Sequence, residues 1–197
     1  MSYNIIPLQD IIEELGKDCA KEILSGFSCP LNKDVEYFLL HKAIEFNRQG
    51  LSMTHLVFDQ YKGEDRLVAY FTLAQKFISC SQVFLPRAMK DRIKRFAPLV
   101  NGYYTIPAVL LAQMGKNFTD GLDKLISGED LLSLALDVVG IVHTLIGGRI
   151  IFVECEDVRA LRSFYEINGF IYSNKRALDG DETNLKGEHL LQYIRWI

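Results

Sequence analysis

The chain has 197 residues, of which 49% are hydrophobic and 24% charged, and a formal net charge of -3. These are globular values, and a chain of this length buries about two-thirds of its unfolded surface. The mildly acidic balance gives the molecule as a whole no electrostatic reason to seek nucleic acid or an anionic membrane. No apolar run approaches the roughly 20 residues that span a bilayer. Met1 to Leu8 has no basic lead, and Ile11-Ile12 is followed at once by Glu13-Glu14, so no secretory signal is expected. Cys19, Cys29, Cys80 and Cys155 are scattered without metal-ligand spacing. The expected setting is a reducing cytoplasm, with no metal and no membrane. No internal repeat or low-complexity linker divides the chain, which predicts a single domain over 1–197, with a strand and helix over 1–26 leading into a core of about 27–197.

In chain order, Asn4 to Pro7 reads as a first strand and Leu8 to Ser25 as a helix interrupted at Gly16. Lys33 to Gln49 is a cleaner helix. Val35, Phe38, Leu39, Ala43 and Phe46 repeat at helical spacing, Asn32 or Asp34 can cap it, and Gly50 ends it. Strands follow at about Met53 to Asp59 and Arg66 to Ile78, joined by Tyr61-Lys62-Gly63-Glu64-Asp65, which has hairpin-turn chemistry. After Pro86 the stretch from Arg87 to Arg95 reads as helix and carries Arg87, Lys90, Arg92, Lys94 and Arg95 against a single Asp91. Two readings stand for it: a solvated helix face, or an acceptor-docking or anion-binding surface.

The centre of the chain runs from Tyr104 to Phe170. Tyr104 to Gln113 is apolar and β-prone, Asn117 to Gly128 a loop, and Asp130 to Leu145 a helix with Leu131, Leu134, Val138, Ile141, Val142 and Leu145 on its apolar positions. Ile150 to Val153 gives a buried strand. A second helix begins near Val158, places Leu161, Phe164 and Tyr165 on one side, and stops at Asn168-Gly169. Strand, loop, helix, strand makes a right-handed βαβ crossover, whose loop before the helix is where ligands collect. Beyond Phe170 come a strand to Ser173, a polar Gly-containing excursion from Asp179 to Gly187, and a closing strand from Leu190 to Trp196.

Ser127-Gly128-Glu129-Asp130 opens the long helix as a variant capping box, Ser127 with Asp130 three residues on. A helix N-terminus offers unpaired N–H groups and partial positive charge, which suits a pyrophosphate. Glu129 and Asp130 are anions that also satisfy that dipole, so a well-capped helix and nothing more is the competing reading. Lys116 and Lys124 can offset the acids. No general base stands out. Glu154 ends the second central strand and is weighed as a base or a solvated residue. His41, His55, His143 and His189 lie apart from any nucleophilic constellation, and Cys155 reads as a small buried residue without a paired His.

Three segments together resemble the GNAT superfamily of acyl-CoA-dependent N-acetyltransferases: Leu111-Ala112-Gln113-Met114-Gly115-Lys116-Asn117, Ile126-Ser127-Gly128-Glu129-Asp130-Leu131-Leu132, and Phe164-Tyr165-Glu166-Ile167-Asn168-Gly169-Phe170. The likeness covers roughly Phe27 to Phe170. It implies an α/β fold with a mixed twisted sheet, helices on both faces and a splayed central strand pair. Pro107, inside the first central strand, is tolerated best where neighbouring strands separate. The resemblance further implies acetyl-CoA as acyl donor, held by Met114, Gly115 and Lys116 and by Ile126, Ser127, Gly128, Glu129 and Asp130. Tyr165 would serve as the acid that protonates the departing thiolate. In two places the chain departs from the family pattern: Asp123 and Ile126 stand where the phosphate loop usually has Gln or Arg and its first Gly, and Val158 where an Asn often opens the last helix.

The function so implied is transfer of an acetyl group to a primary amine of a small molecule or protein, by direct attack in a ternary complex, with a homodimer among the assemblies open to it. Within the superfamily the chain resembles the bacterial branch of acetylating toxins from toxin–antitoxin pairs, whose Arg-Leu-Ala-Val-Asp strand end corresponds to Gln113 to Asn117. Such toxins modify charged transfer RNA and are usually basic, so the acidic balance here argues against nucleic acid as partner. Two other readings are kept: a non-catalytic acyl-CoA-binding or interaction module, and a toxin that acetylates aminoacyl-tRNA through the Arg87 to Arg95 surface.

Overall fold

Local sequence sets most of the element boundaries. In the computed structural model, which describes residues 3–178, 180 and 187–197, Asn4–Pro7 forms strand β1, and helices α1 (Leu8–Leu15) and α2 (Lys17–Ser25) are separated at Gly16. The side chain of Asn32 accepts hydrogen bonds from the amides of Asp34 and Val35 and so caps α3 (Lys33–Tyr37). A π-helical turn, Phe38–Lys42, links α3 to α4 (Ala43–Arg48). Strands β2 (Met53–Tyr61) and β3 (Glu64–Ser81) form an antiparallel hairpin. Its turn residues Lys62 and Gly63 both take positive φ, 54° and 85°, which matches the twist of the flanking strands.

The remaining elements are α5 (Arg87–Ile93), β4 (Leu99–Val100), β5 (Tyr103–Lys116), α6 (Gly128–Ile146), β6 (Ile150–Glu156), α7 (Arg159–Ile167), β7 (Ile171–Ala177) and β8 (His189–Trp196). A 3-10 segment, Thr119–Lys124, lies between β5 and α6. Most of the expected excursion from Asp179 to Gly187 lies outside the described residues.

The chain divides into two units. The first comprises residues through Ala74 together with Leu111–Asp137; the second comprises Gln75–Leu110 and Val138–Ile197. In the first unit the strand order is β1-β2-β3-β5, and β1 runs antiparallel to β2. Its core gathers Leu8, Leu24, Phe27, Val35, Leu39, Leu56 and Tyr70. Tyr70 is fully buried, meets Phe27 edge to face at 5.2 Å, and donates from its hydroxyl to the Val35 carbonyl at 2.6 Å. The phenol thereby satisfies the polar group that it buries.

In the second unit the order is β3-β5-β6-β8-β7, with β4 pairing β5. Both β6 and β7 run antiparallel to β8. Ile78, Leu85, Ile93, Tyr104, Ile106, Ile150, Phe152 and Ile194 form its core. The continuous apolar run Ile150 to Val153 is buried throughout, as expected of a strand covered on both faces. The β4–β5 hairpin was not among the expected elements; its two β4 residues are exposed and leave no periodic signal.

Candidate active site

Of the residues expected to hold an acyl donor, all fall in the first unit. Met114, Gly115 and Lys116 are the last residues of β5, which runs three residues beyond the expected end at Gln113. Gly115 is buried, and a Cβ built there would collide with Val35 and meet Phe27 and Tyr70 at 3.6 and 3.7 Å. Close packing of backbone against α3 therefore accounts for this glycine. The ammonium of Lys116 donates to the Asp123 carbonyl at 2.8 Å, closing the 3-10 segment back onto the strand.

Ile126 is 2% exposed, so its side chain belongs to the core, and only its backbone can face a ligand. The capping box forms as the spacing predicts. Ser127 Oγ donates to Asp130 Oδ2 at 2.7 Å and accepts from the Asp130 amide at 2.9 Å, while the Ser127 amide donates to Asp130 Oδ2 at 3.4 Å. The Leu131 amide bonds the Ser127 carbonyl at 3.1 Å. The amides of Gly128 and Glu129 are then the first-turn donors with no protein acceptor among the described residues. Two free N–H groups at the positive end of a 19-residue helix suit a phosphate oxygen. The exposed Glu129 and the cap Asp130 are the opposing charges.

Asn117, one residue past β5, ties this region together. It is 2% exposed, and its amide group donates to the carbonyls of Gly26 and Leu67 at 3.1 and 2.9 Å. Its carbonyl oxygen accepts from the amides of Ser28 and Thr119 at 3.0 and 3.1 Å. All four hydrogen-bonding positions of the side chain are used. Its backbone N–H also donates to the Val68 carbonyl at 2.8 Å.

Tyr165 belongs to the second unit, on α7. Its ring packs against Phe164, Phe170 and Tyr193 at 5.3, 5.5 and 6.3 Å between centroids. The helix closes at Asn168-Gly169, where the Phe170 amide returns to the Tyr165 carbonyl at 3.0 Å. Burial pushes the phenol well above its ordinary range, with Cys155 adding to the effect. The hydroxyl is thus protonated at neutral pH. Among the described residues it has no hydrogen-bond partner, yet it is not one of the sealed unpaired atoms, which are found on Ser52, His55, Tyr104 and His143.

Cys155 is buried, and its thiol is pushed up to about 12, chiefly by desolvation and then by Asp157 and Glu156. At neutral pH it is neither a thiolate nor accessible, which agrees with its reading as a packed residue. Glu154 differs from expectation. It lies within β6 rather than at its end, pairing in register with Gln192 of β8. Arg176 donates to Glu154 Oε2 at 2.6 and 2.8 Å, and Gln192 donates to Oε1 at 2.8 Å. A carboxylate held by three donors across three strands is a crosslink of the sheet, with both oxygens already engaged. Among the described residues, no three His, Cys, Asp or Glu side chains come together as a metal-holding group, and no helix is long and apolar enough to cross a membrane.

The run Arg87 to Arg95 divides. Arg87 and Lys94 flank Asp91 at 3.9 and 3.6 Å, whereas Arg92 and Arg95 turn to a cavity that they share with Phe96, Arg149 and Trp196. The sequence reading missed Arg149 and Trp196, which join that run from about 50 and 100 residues away.

The order of elements is that of a GNAT-type fold, the fold of the solved structures that the chain resembles. Among solved structures, a Tyr-to-Phe mutant of KacT is similar at 18% identity, covering 98% of this chain and 95% of that one, with a TM-score of 0.63. AtaT complexed with acetyl-methionyl-tRNA is similar at 21% identity, 96% and 94% coverage, and a TM-score of 0.61. AtaTR bound with acetyl-CoA follows at 18%, 98% and 92%, and 0.57. No family model and no curated protein matches the chain. The expectation against nucleic acid as partner finds no support in these structures, since one of them holds a transfer RNA.

Proposed function

We propose that the chain transfers an acetyl group from acetyl-CoA to a primary amine. The observation that carries this reading is Tyr165, a buried phenol with no competing acceptor for its hydrogen among the described residues. In the proposed reaction the neutral amine attacks the thioester carbonyl, a C–N bond forms, and the C–S bond breaks as the intermediate collapses. The leaving sulfur takes up the proton that Tyr165 offers, and the amine gives up one of its own to solvent or to a base. A phenol of raised pKa is a weaker acid than a thiol, so the Tyr165 hydroxyl stabilises the thiolate by a hydrogen bond that strengthens as charge develops on sulfur, and a proton that passes to sulfur is returned to Tyr165 from solvent. The free amides of Gly128 and Glu129 are proposed to receive the pyrophosphate, with Met114 to Lys116 lining the rest of the donor path. Gly115, packed on Val35, contributes backbone only.

The likeness to AtaT complexed with acetyl-methionyl-tRNA supports one acceptor in particular, the α-amino group of an aminoacyl-tRNA. A small-molecule or protein amine is the alternative. Thiol release from acetyl-CoA in the presence of charged transfer RNAs and of a panel of amines tests both. Tyr165→Phe keeps the ring and its packing and removes only the hydroxyl. It should lower kcat by about 100- to 10,000-fold while leaving acetyl-CoA affinity within a few-fold. Full kcat in the variant where chemistry limits turnover would make Tyr165 a core aromatic. Acetyl-CoA binding without thiol release from any acceptor would favour a non-catalytic module.

A further inference from the structure

We propose that the cavity lined by Arg92, Arg95, Phe96, Arg149 and Trp196 is a binding site for a nucleoside phosphate. It measures about 320 Å³ and lies wholly within the second unit. That is the lower end of the range for small-molecule sites, room for one nucleotide. Arg92 comes from α5, Arg95 and Phe96 from the turn after it, Arg149 from the residue before β6, and Trp196 from the end of β8. The ladder sets the last two side by side: Ile150 is in register with Trp196, and the Ile197 amide donates to the Arg149 carbonyl at 2.9 Å.

Charge and ring chemistry together define the ligand. Arg92, Arg95 and Arg149 have no carboxylate partner among the described residues, because Asp91, the acid of α5, faces Arg87 and Lys94. Three unpaired guanidiniums around one cavity repel one another unless an anion joins them, and their planar forks match phosphate oxygens. The Arg92 guanidinium sits 4.9 Å from the Trp196 ring centre, and Phe96 meets Trp196 edge-on at 6.1 Å. A simple carboxylate or sulfate would use the guanidiniums alone and leave the exposed part of the aromatic pair uncovered. A phosphate that carries a planar base uses both, the phosphate on the arginines and the base against the aromatic pair. None of these residues is among those proposed to hold acetyl-CoA or to assist the leaving sulfur, so the site stands or falls apart from that reading.

Trp196 is the only tryptophan in the chain, so its emission reports on this cavity alone. The intact protein is titrated with AMP, adenosine, inorganic phosphate, a glutamate-rich peptide, and a short single-stranded RNA with and without a 5′-phosphate. AMP or the phosphorylated RNA should quench Trp196 saturably, adenosine at least about 10-fold more weakly, and added salt should loosen binding. Arg149→Gln should lose about 10-fold, as expected when one charge-assisted pair is removed. The triple variant Arg92→Gln, Arg95→Gln, Arg149→Gln should lose saturable quenching while retaining its melting temperature and its response to acetyl-CoA. Tighter binding of AMP assigns a free nucleotide, and tighter binding of the phosphorylated RNA assigns a chain end. The proposal is overturned by the absence of saturable quenching with either, by an unchanged titration in the triple variant, or by the peptide binding more tightly than both.

Discussion

Replacing Asn117 with Ala should damage the first unit out of proportion to the side chain's size. The substitution removes four hydrogen bonds of 2.9 to 3.1 Å and leaves the carbonyls of Gly26 and Leu67 and the amides of Ser28 and Thr119 without that partner. At roughly 1 kcal/mol net per bond the upper figure is about 4 kcal/mol; the partly exposed Ser28 and Thr119 amides can turn to water, which brings the expected loss to about 2 to 4 kcal/mol. For a chain of this size that is a fall of about 5 to 15 °C in melting temperature. Urea unfolding followed by far-UV circular dichroism measures the free energy, and amide exchange at Ser28 and Thr119 should quicken in step. Asn117→Asp keeps the acceptors but sets a carboxylate against two carbonyls, and should lose at least as much. A loss below about 1 kcal/mol for both variants would refute the four-way role.

His55 is stacked on Phe71 at 4.9 Å with its Nδ1 sealed and unpaired, and desolvation lowers its pKa. Below the ordinary value of about 6.5 the unfolded chain takes a proton that the folded chain refuses, so stability falls as pH drops through that point. His55→Phe should flatten this acid limb in a pH series of melting temperatures; an unchanged slope would place the titration elsewhere. Glu154→Gln removes the charge from the Glu154–Arg176 contact and should cost about 1 to 3 kcal/mol in denaturant, and an unchanged midpoint would show that this contact contributes nothing. Acetyl-CoA at about 100 times its Kd should stabilise the parent by about 2.7 kcal/mol. Gly128→Val should reduce that shift by crowding the free amides, and an equal shift in the variant would move the pyrophosphate away from α6.

Elements whose boundaries depend on near neighbours were legible in the sequence: the break at Gly16, the Asn32 cap, the Lys62-Gly63 turn, the Ser127–Asp130 box and the stop at Asn168-Gly169. Each depends on residues within about four positions, the reach of capping and turn chemistry. What escaped depends on distant chain segments. That Glu154 meets Arg176 follows from how β6, β8 and β7 pair, and that Arg92 lines one cavity with Arg149 and Trp196 follows from how α5 packs on β6 and β8. No single sequence writes those registers down. The overlong β5 has a similar cause: Gly115 reads as a strand breaker locally, but it is the one residue thin enough to let the strand pass α3.

The reciprocal bonds between Ser127 and Asp130, with Lys116 anchored on the Asp123 carbonyl, fix the approach to α6 by side chains of the approach itself. A ligand that bound there, as proposed, would find these side chains already paired. The entropy of arranging the loop is lost once, during folding, and is not lost again at each encounter, so more of the contact energy remains as affinity. Loosening the lock by Asp130→Ala would remove a repelling charge and restore disorder together. Affinity would then record the difference between those two opposed effects, and calorimetry would separate them as a change in the entropy of binding.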